Sequence, residues 1–260
     1  MLRKRIIFTL IYSQGFFMQS RNFRLQRVGN LKWLENNYKF QNIAFSLDEL
    51  IVLNATRDQK DIEEFALTVN KLVNDVFIPI AAGGGIRSLA DAELLFNSGA
   101  DKIVLNTLLY TNPEIVSLLI QKYGSQSIVA SIDYKTDGYI NKVFINDGKV
   151  ELKKTLEEYL IYISSLNIGE VYLNSIDKDG TGFGYDFDTI MNIKNGLKVP
   201  LIIAGGAGNE SHLIEGLNLD GINAVATANL FNFIGDGLPK ARAKVIEAKG
   251  NVANWTELSV

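Results

Sequence analysis

The chain has 260 residues, 47% of them hydrophobic, which suffices for a sizeable core and is too many for a disordered segment. A formal net charge of −3 gives no basic field for nucleic acid or for an acidic membrane surface. With no Cys and a single His, His212, disulfides, thiol chemistry and multi-histidine or thiolate metal sites are excluded, and acid–base work falls to carboxylates, Lys, Tyr or bound water.

The first apolar run, Ile6–Tyr12, follows Arg3, Lys4 and Arg5 and superficially resembles a signal peptide. It is short, no small-residue cleavage site follows, and polar residues resume at Ser13. It reads instead as the first strand, Arg5–Leu10, of a cytoplasmic protein. Ser13–Asn30 is long, polar and interrupted by Gly15 and Gly29, which predicts a mobile loop. Phe16, Phe17 and Phe23 within it fit packing either on a ligand or on the body of the protein.

Alternation then sets in. The helix Leu31–Phe40 precedes the strand Glu49–Leu53, and Asp61–Asn74 precedes Ile78–Ala82. Leu89–Asn97 precedes Lys102–Asn106, and Pro113–Tyr123 precedes Ser127–Ile132. After strand five, Tyr139–Phe144 and Val150–Leu152 flank an Asn146-Asp147-Gly148 turn and predict a hairpin. Leu156–Ser165 precedes Glu170–Asn174, Phe187–Asn195 precedes Leu201–Ala204, and Glu210–Leu217 precedes Ala224–Thr227. Lys240–Ala248 is the last helix. Ser88 and Asn209 stand at N-cap positions, Pro113 at a first turn, and Gly99 and Gly169 just past helices. Trp33 and Trp255 read as packing residues, and His212 as a surface or capping residue. No apolar run is long enough to span a bilayer.

Strands this apolar are buried on both faces, the pattern of a parallel sheet. Eight βα units in a chain of this size point to an α/β fold, a (β/α)8 barrel, with a small hairpin inserted after strand five. The sequence also repeats itself at an offset of about 121–122 residues. Lys4–Ile11 matches Gln126–Asp133, Glu49–Asp58 matches Glu170–Asp179, Pro79–Gly85 matches Pro200–Gly206, and Gly99–Thr107 matches Gly221–Asn229. The whole chain, 1–260, therefore reads as one barrel domain of two half-barrels, about 1–123 and 124–260. One match is broken: where the second copy ends its first strand in Asp133, the first has Ile11.

In such barrels the site lies at the C-terminal ends of the strands. There the repeat supplies two candidate phosphate cradles. One combines Gly84 and Gly85 with Asn106 and Thr107, and the other Gly205 and Gly206 with Ala228 and Asn229. Glycines admit an anion close to the backbone, and the helix N-termini that follow add positive potential. Cradles on opposite sides of the mouth suit an elongated substrate with a phosphate at each end.

Five motifs together resemble the cyclase subunit of imidazole glycerol phosphate synthase, from histidine biosynthesis, nearly end to end. They are KRII at Lys4–Ile7, GGGI at Gly83–Ile86, GADK-x-x-x-NT at Gly99–Thr107, SID-x-DGT-x-x-GYD at Ser175–Asp186 and AGGAG at Ala204–Gly208. The resemblance implies a half-barrel duplication that binds a substrate with two terminal phosphates. It implies ammonia supplied by a glutaminase subunit docked at the N-terminal face, and no cofactor, metal, nucleic acid or membrane. Catalysis would rest on Asp133, with Asp179 orienting substrate, and Gly180 and Thr181 beside it. Arg5, Glu49, Lys102 and Glu170, each opening a strand, would gate the admission of ammonia, although four such charges could also form an ion-pair plug.

Three positions depart from that pattern. The family's first catalytic aspartate falls on Ile11, its lysine in the loop after strand one on Gln19, and its strand-two aspartate on Asn54. A retained ammonia route with half of the acid–base pair lost resembles a divergent branch of the family that acts in acetamidino-sugar formation for surface polysaccharide. A sugar nucleotide carries adjacent phosphates, in tension with two opposed cradles. Two alternatives stand beside this reading: a genuine histidine-pathway cyclase, with Tyr12 as the nearest substitute for the lost aspartate, and a non-catalytic scaffold that activates a glutaminase.

Overall fold

The computed structural model describes residues 2–38 and 40–254. Its strands are β1 (Arg5–Ser13), β2 (Phe16–Arg21), β3 (Arg24–Gly29), β4 (Glu49–Asn54), β5 (Ile80–Gly83), β6 (Lys102–Leu105), β7 (Ile128–Asp137), β8 (Ile140–Ile145), β9 (Val150–Thr155), β10 (Glu170–Ser175), β11 (Leu201–Ala204) and β12 (Ala224–Thr227). Eight of them, β1, β4, β5, β6, β7, β10, β11 and β12, pair in parallel. The pairing of β10 with β7 closes the ring. The fold is the expected (β/α)8 barrel.

The helices are α1 (Leu31–Tyr38), α2 (Phe40–Ile43), α3 (Ile62–Asp75), α4 (Leu89–Asn97), α5 (Thr107–Thr111), α6 (Pro113–Tyr123), α7 (Leu156–Ser165), α8 (Phe187–Ile193), α9 (Glu210–Asn218) and α10 (Gly237–Glu247). Local chemistry fixes several starts. Ser88 and Thr155 form capping boxes with Asp91 and Glu158, satisfying amides that have no partner within the helix. Asn209 caps α9 and Pro113 occupies the first turn of α6. Of the two glycines expected past helices, Gly99 adopts a positive φ of 96°. Gly169 does not. Its missing side chain instead lets the backbone of Ser125 and Gln126 pass close by.

Strand alternation divides the core in two. On β1, Ile6, Phe8, Leu10 and Tyr12 face the helices, whereas Ile7, Thr9 and Ile11 face the barrel interior. Register also places the broken repeat. Ile11 pairs with Leu53, and Asp133 pairs with Asn174 on the corresponding rung of the second half.

The segment expected to be a mobile loop after strand one is an antiparallel hairpin. β2 pairs with the extended end of β1, and β3 pairs with β2. The hairpin expected after strand five is present as β8 and β9, and it prolongs β7. Of the aromatic residues, Phe17 is fully buried, Phe16 lies under the Arg27 guanidinium, and Trp33 packs against Gly29 and Tyr38. Trp255 lies outside the described residues.

One buried ion pair ties the C-terminal helix to the barrel floor. Arg242, 3% exposed, donates to both carboxylate oxygens of Asp48 at 2.9 and 3.0 Å, and to the carbonyls of Ser46 and Ala253. Removing one partner of such a buried pair costs about 3–5 kcal/mol. Arg242→Met is expected to lower unfolding free energy by that order in urea titration. A loss below about 1 kcal/mol, the worth of a surface pair, would show that the pair is dispensable.

Candidate functional site at the barrel mouth

The C-terminal ends of the barrel strands surround a cavity of about 450 Å³. Of the residues singled out in the sequence, Asp133, Asp179, Gly84, Gly85, Asn106, Thr107, Gly180, Gly205, Gly206, Ala228 and Asn229 all line it. Thr181 does not; its hydroxyl donates to the Lys178 carbonyl at 2.7 Å and closes its own turn. Ile11, Gln19 and Asn54 also line the cavity, so the three departures share one space with Asp133. Tyr12 does not. It packs between the rings of Phe17 and Phe65 in the barrel–helix layer, on the opposite face of β1 from Ile11. Burial pushes its phenol pKa up. It therefore cannot stand in for a missing catalytic carboxylate, as the strand period alone would have indicated.

Asp133 is buried at the end of the β7 barrel rung. Asn174 and Asn106 donate their side-chain amides to its two oxygens at 3.0 and 3.2 Å. Neutral donors orient the carboxylate without supplying a counter-charge. Burial raises its pKa, the Asn174 bond opposes this, and the charges of Asp179 and Asp147 add to it, so that it is pushed up to about 7. A carboxyl poised there exchanges a proton readily at neutral pH.

Asp179 belongs to the loop after β10, and the β2–β3 hairpin bonds to it. Ser20 Oγ donates to its Oδ2 at 2.5 Å, and the Phe23 amide donates to the same atom at 3.0 Å. Burial raises its pKa, and these two bonds pull it back. The Asn22 amide donates to the Asp179 carbonyl, and the Asn22 side chain donates to the carbonyls of Ile176 and Asp177. The hairpin is thus latched over the second half of the barrel.

The two hairpins meet above the cavity. A Cβ on Gly148 would strike the Phe23 ring, and Arg57 donates to the Phe23 carbonyl. The β8–β9 turn reaches the first cradle: the Asn146 amide donates to Thr107 Oγ1 at 3.0 Å, and Asp147 pairs with Lys60 at 2.8 Å. Gln19, from the other hairpin, reaches the second cradle, where its Oε1 accepts from the Leu230 amide at 2.8 Å. Arg57, Lys60, Arg87, Ser20 and Asn174 are site residues that sequence reasoning passed over. Two of them had a signal in the chain: Asn174, by its place on the same rung as Asp133, and Arg57, by its basic counterpart Lys178 in the repeat.

At the opposite face, the four strand-opening charges close into a ring. Arg5 contacts Glu49 and Glu170 at 2.5 Å each, and Lys102 contacts the same two carboxylates at 3.0 and 2.9 Å. Glu49 is 2% exposed, so its charge depends on both cations. Between ring and mouth the interior holds Ile7, Ile51, Ala81, Val104, Val129, Ile202 and Ala224. Polar residues enter it at Thr9 and Tyr172, whose hydroxyls lie 3.2 Å apart, and at Ser131 on the rung of Tyr172.

Among the described residues, no group of three or more His, Asp or Glu has a metal-binding arrangement. No helix among them is long and apolar enough to cross a membrane.

The family profile described as histidine biosynthesis protein matches residues 32–235. A protein of Parasynechococcus marenigrum strain WH8102, provisionally named imidazole glycerol phosphate synthase subunit hisF2, is 45% identical over all of this chain and 97% of its own. Imidazole glycerol phosphate synthase subunit HisF of Pyrobaculum aerophilum is 38% identical over 84% of this chain and 85% of its own. The HisF subunit of Dictyoglomus thermophilum is 31% identical over 96% of this chain and 98% of its own. With a barrel of this construction and matches spanning nearly its whole length, the chain belongs to the histidine-biosynthesis family, among the HisF-type cyclase subunits of imidazole glycerol phosphate synthase.

Proposed function

We propose that the chain is the synthase subunit of a glutamine amidotransferase assembly. It receives ammonia from a glutaminase docked at its N-terminal face and adds it to a phosphorylated substrate at the mouth. The observation that carries this is the pairing of two ends of one barrel. One end is a ring of four charged side chains, and the other holds a buried carboxyl poised to exchange a proton, Asp133. Ammonia is small and neutral, so an interior of alkyl side chains with the hydroxyl residues Thr9, Ser131 and Tyr172 presents no charge barrier once the ring parts. At the mouth, a nucleophilic amine attacking an amide-derived or imine-like carbon must lose a proton, and Asp133 is placed to take it. Asp179 anchors the hairpin that covers the substrate.

The reaction differs from imidazole ring closure. That chemistry needs a second acid–base group facing Asp133, and the first half offers Ile11, Gln19 and Asn54, none of which ionises in the physiological range. Formation of an acetamidino group from an N-acetyl group on a sugar, for surface polysaccharide, replaces the amide oxygen by nitrogen. With that oxygen made a leaving group by a separate ATP-using enzyme of the assembly and expelled as ammonia adds, this subunit needs only the ammonia route and a proton acceptor, which is the set retained here. The test is expression in a bacterial strain deleted for its own cyclase subunit. The chain is expected not to restore growth without histidine. Robust growth would sink the acetamidino reading and return the chain to the histidine pathway.

A further inference from the structure

Charge is distributed unevenly around the mouth. The cationic side chains that line the cavity are Arg57, Lys60 and Arg87, all from the loops after β4 and β5. The second cradle contributes Gly205, Gly206, Ala228 and Asn229; the stem of Lys178 passes beside Gly206, but its side chain is not part of the cavity lining. One of the cradle's amides and two beside it are engaged. The Asn229 amide donates to Thr227 Oγ1 at 3.3 Å, the Gly208 amide to His212 Nδ1 at 3.2 Å, and the Leu230 amide to Gln19 at 2.8 Å.

The first cradle differs in its side chains, not its backbone: Gly84 and Gly85 adopt positive φ, at 90° and 87°, as Gly205 and Gly206 do at 86° and 106°. A Cβ on Gly85 would lie 2.9 Å from the stem of Lys60, so the lysine runs directly over the cradle. An ammonium has three donors. Lys60 gives one to the Asn54 carbonyl at 2.9 Å and one to Asp147 Oδ1 at 2.8 Å. The Asp147 carboxylate thus already supplies an anionic oxygen to this wall, from a turn whose next contact is the cradle residue Thr107.

We propose that Arg57, Lys60, Gly84, Gly85 and Arg87 form the binding site of a diphosphate, two phosphates bonded to one another, and that the opposite cradle takes no phosphate while Gln19 is docked on Leu230. Two adjacent phosphates concentrate negative charge at one place, and three cations on one wall match it better than a single phosphate would. This removes the tension between two opposed cradles and a substrate with adjacent phosphates. The assignment rests on the mouth being the substrate site of the proposed reaction. It is tested by binding alone, so it can fail while the growth test succeeds, and the reverse.

The experiment is calorimetric titration of the full chain with inorganic pyrophosphate and, separately, orthophosphate, at fixed ionic strength. Pyrophosphate is expected to bind with a stoichiometry of one and at least about tenfold more tightly than orthophosphate, the worth of one added charge-assisted hydrogen bond. Lys60→Met and Arg57→Met should each weaken it by about tenfold on the same grounds, and Lys60→Arg should largely restore it. Asn229→Ala should leave it unchanged. Asp147→Asn should tighten it, because the competing carboxylate loses its charge, and a misfolded variant would not gain affinity. Two orthophosphates bound per chain as tightly as pyrophosphate would overturn the proposal. So would equal losses in Asn229→Ala and Lys60→Met, or no pyrophosphate binding at all.

Discussion

Asp133→Asn is expected to lower product formation by about 10²–10⁴-fold, the usual contribution of a positioned acid or base. The fall should be equal whether the reconstituted complex is driven by glutamine or by ammonium salt, because the change lies beyond the ammonia route. The partner's glutamine hydrolysis should persist. The same outcome separates an enzyme from a scaffold: unchanged product formation would mean that the barrel only conducts ammonia or activates its partner. The pH dependence follows from the carboxyl being pushed up to about 7. If Asp133 takes a proton from the attacking amine, turnover should rise through that pH and then level. Stability moves the other way. A carboxyl whose pKa is raised on folding stabilises the native state below its unfolded value near 4, and that contribution fades as pH climbs through about 7. The wild type should therefore lose stability relative to Asp133→Asn between pH 5 and pH 8, by an amount on the order of 2–4 kcal/mol. Thermal melts of both proteins at the two pH values check this. Parallel shifts would show that Asp133 is ionised throughout.

The barrel could be read from the chain because its signals are local and redundant. Leu201–Ala204 and Ala224–Thr227 are strands at the expected residues, and Asn146-Asp147-Gly148 marks its turn with residues that tolerate positive φ. The hairpin after β1 was hidden for a physical reason. Its tip is Asn22-Phe23, both at positive φ, 49° and 63°, and an aromatic residue at such a position carries no turn signal. What holds it there is remote. The backbone and carboxylate of Asp179 accept from these two residues, which lie more than 150 positions away in sequence. The candidate site divides along the same line. Asp133, the glycines and the ring charges could be found through the repeat and the motifs. Lys60 could not, because Thr181 falls at the equivalent place in the second half, and Arg57 was missed although Lys178 is its basic counterpart there, because the motifs leave that position unspecified. Their importance comes from where the β8–β9 turn and the Phe23 carbonyl happen to sit.

Ile11→Asp should do more than any other single change to move the chain toward ring closure. Ile11 lines the cavity on the rung that corresponds to Asp133, and its neighbours there, Asn54 and Gln19, are the other two neutralised positions. With a carboxylate restored, turnover of the histidine-pathway precursor should rise by about 10²-fold or more over the wild-type background, the scale of one acid–base group. The wild-type protein in the same assay is expected to show almost none. A stability cost should accompany the gain. The new carboxylate would be half-buried opposite an existing one, so each raises the other's pKa, and the pair is most costly when both are ionised. Ile11→Asp should therefore melt lower than wild type at pH 8 and approach it at pH 5. Adding Gln19→Lys supplies a cation on the hairpin over the same cavity and should recover part of that loss while raising turnover further. If Ile11→Asp melts as predicted yet turns over no precursor even with Gln19→Lys and Asn54→Asp, specificity lies elsewhere. The first place to look is then the Arg57–Lys60 wall, where a substrate built for two distant phosphates would meet three cations on one side and a cradle closed by Gln19 on the other.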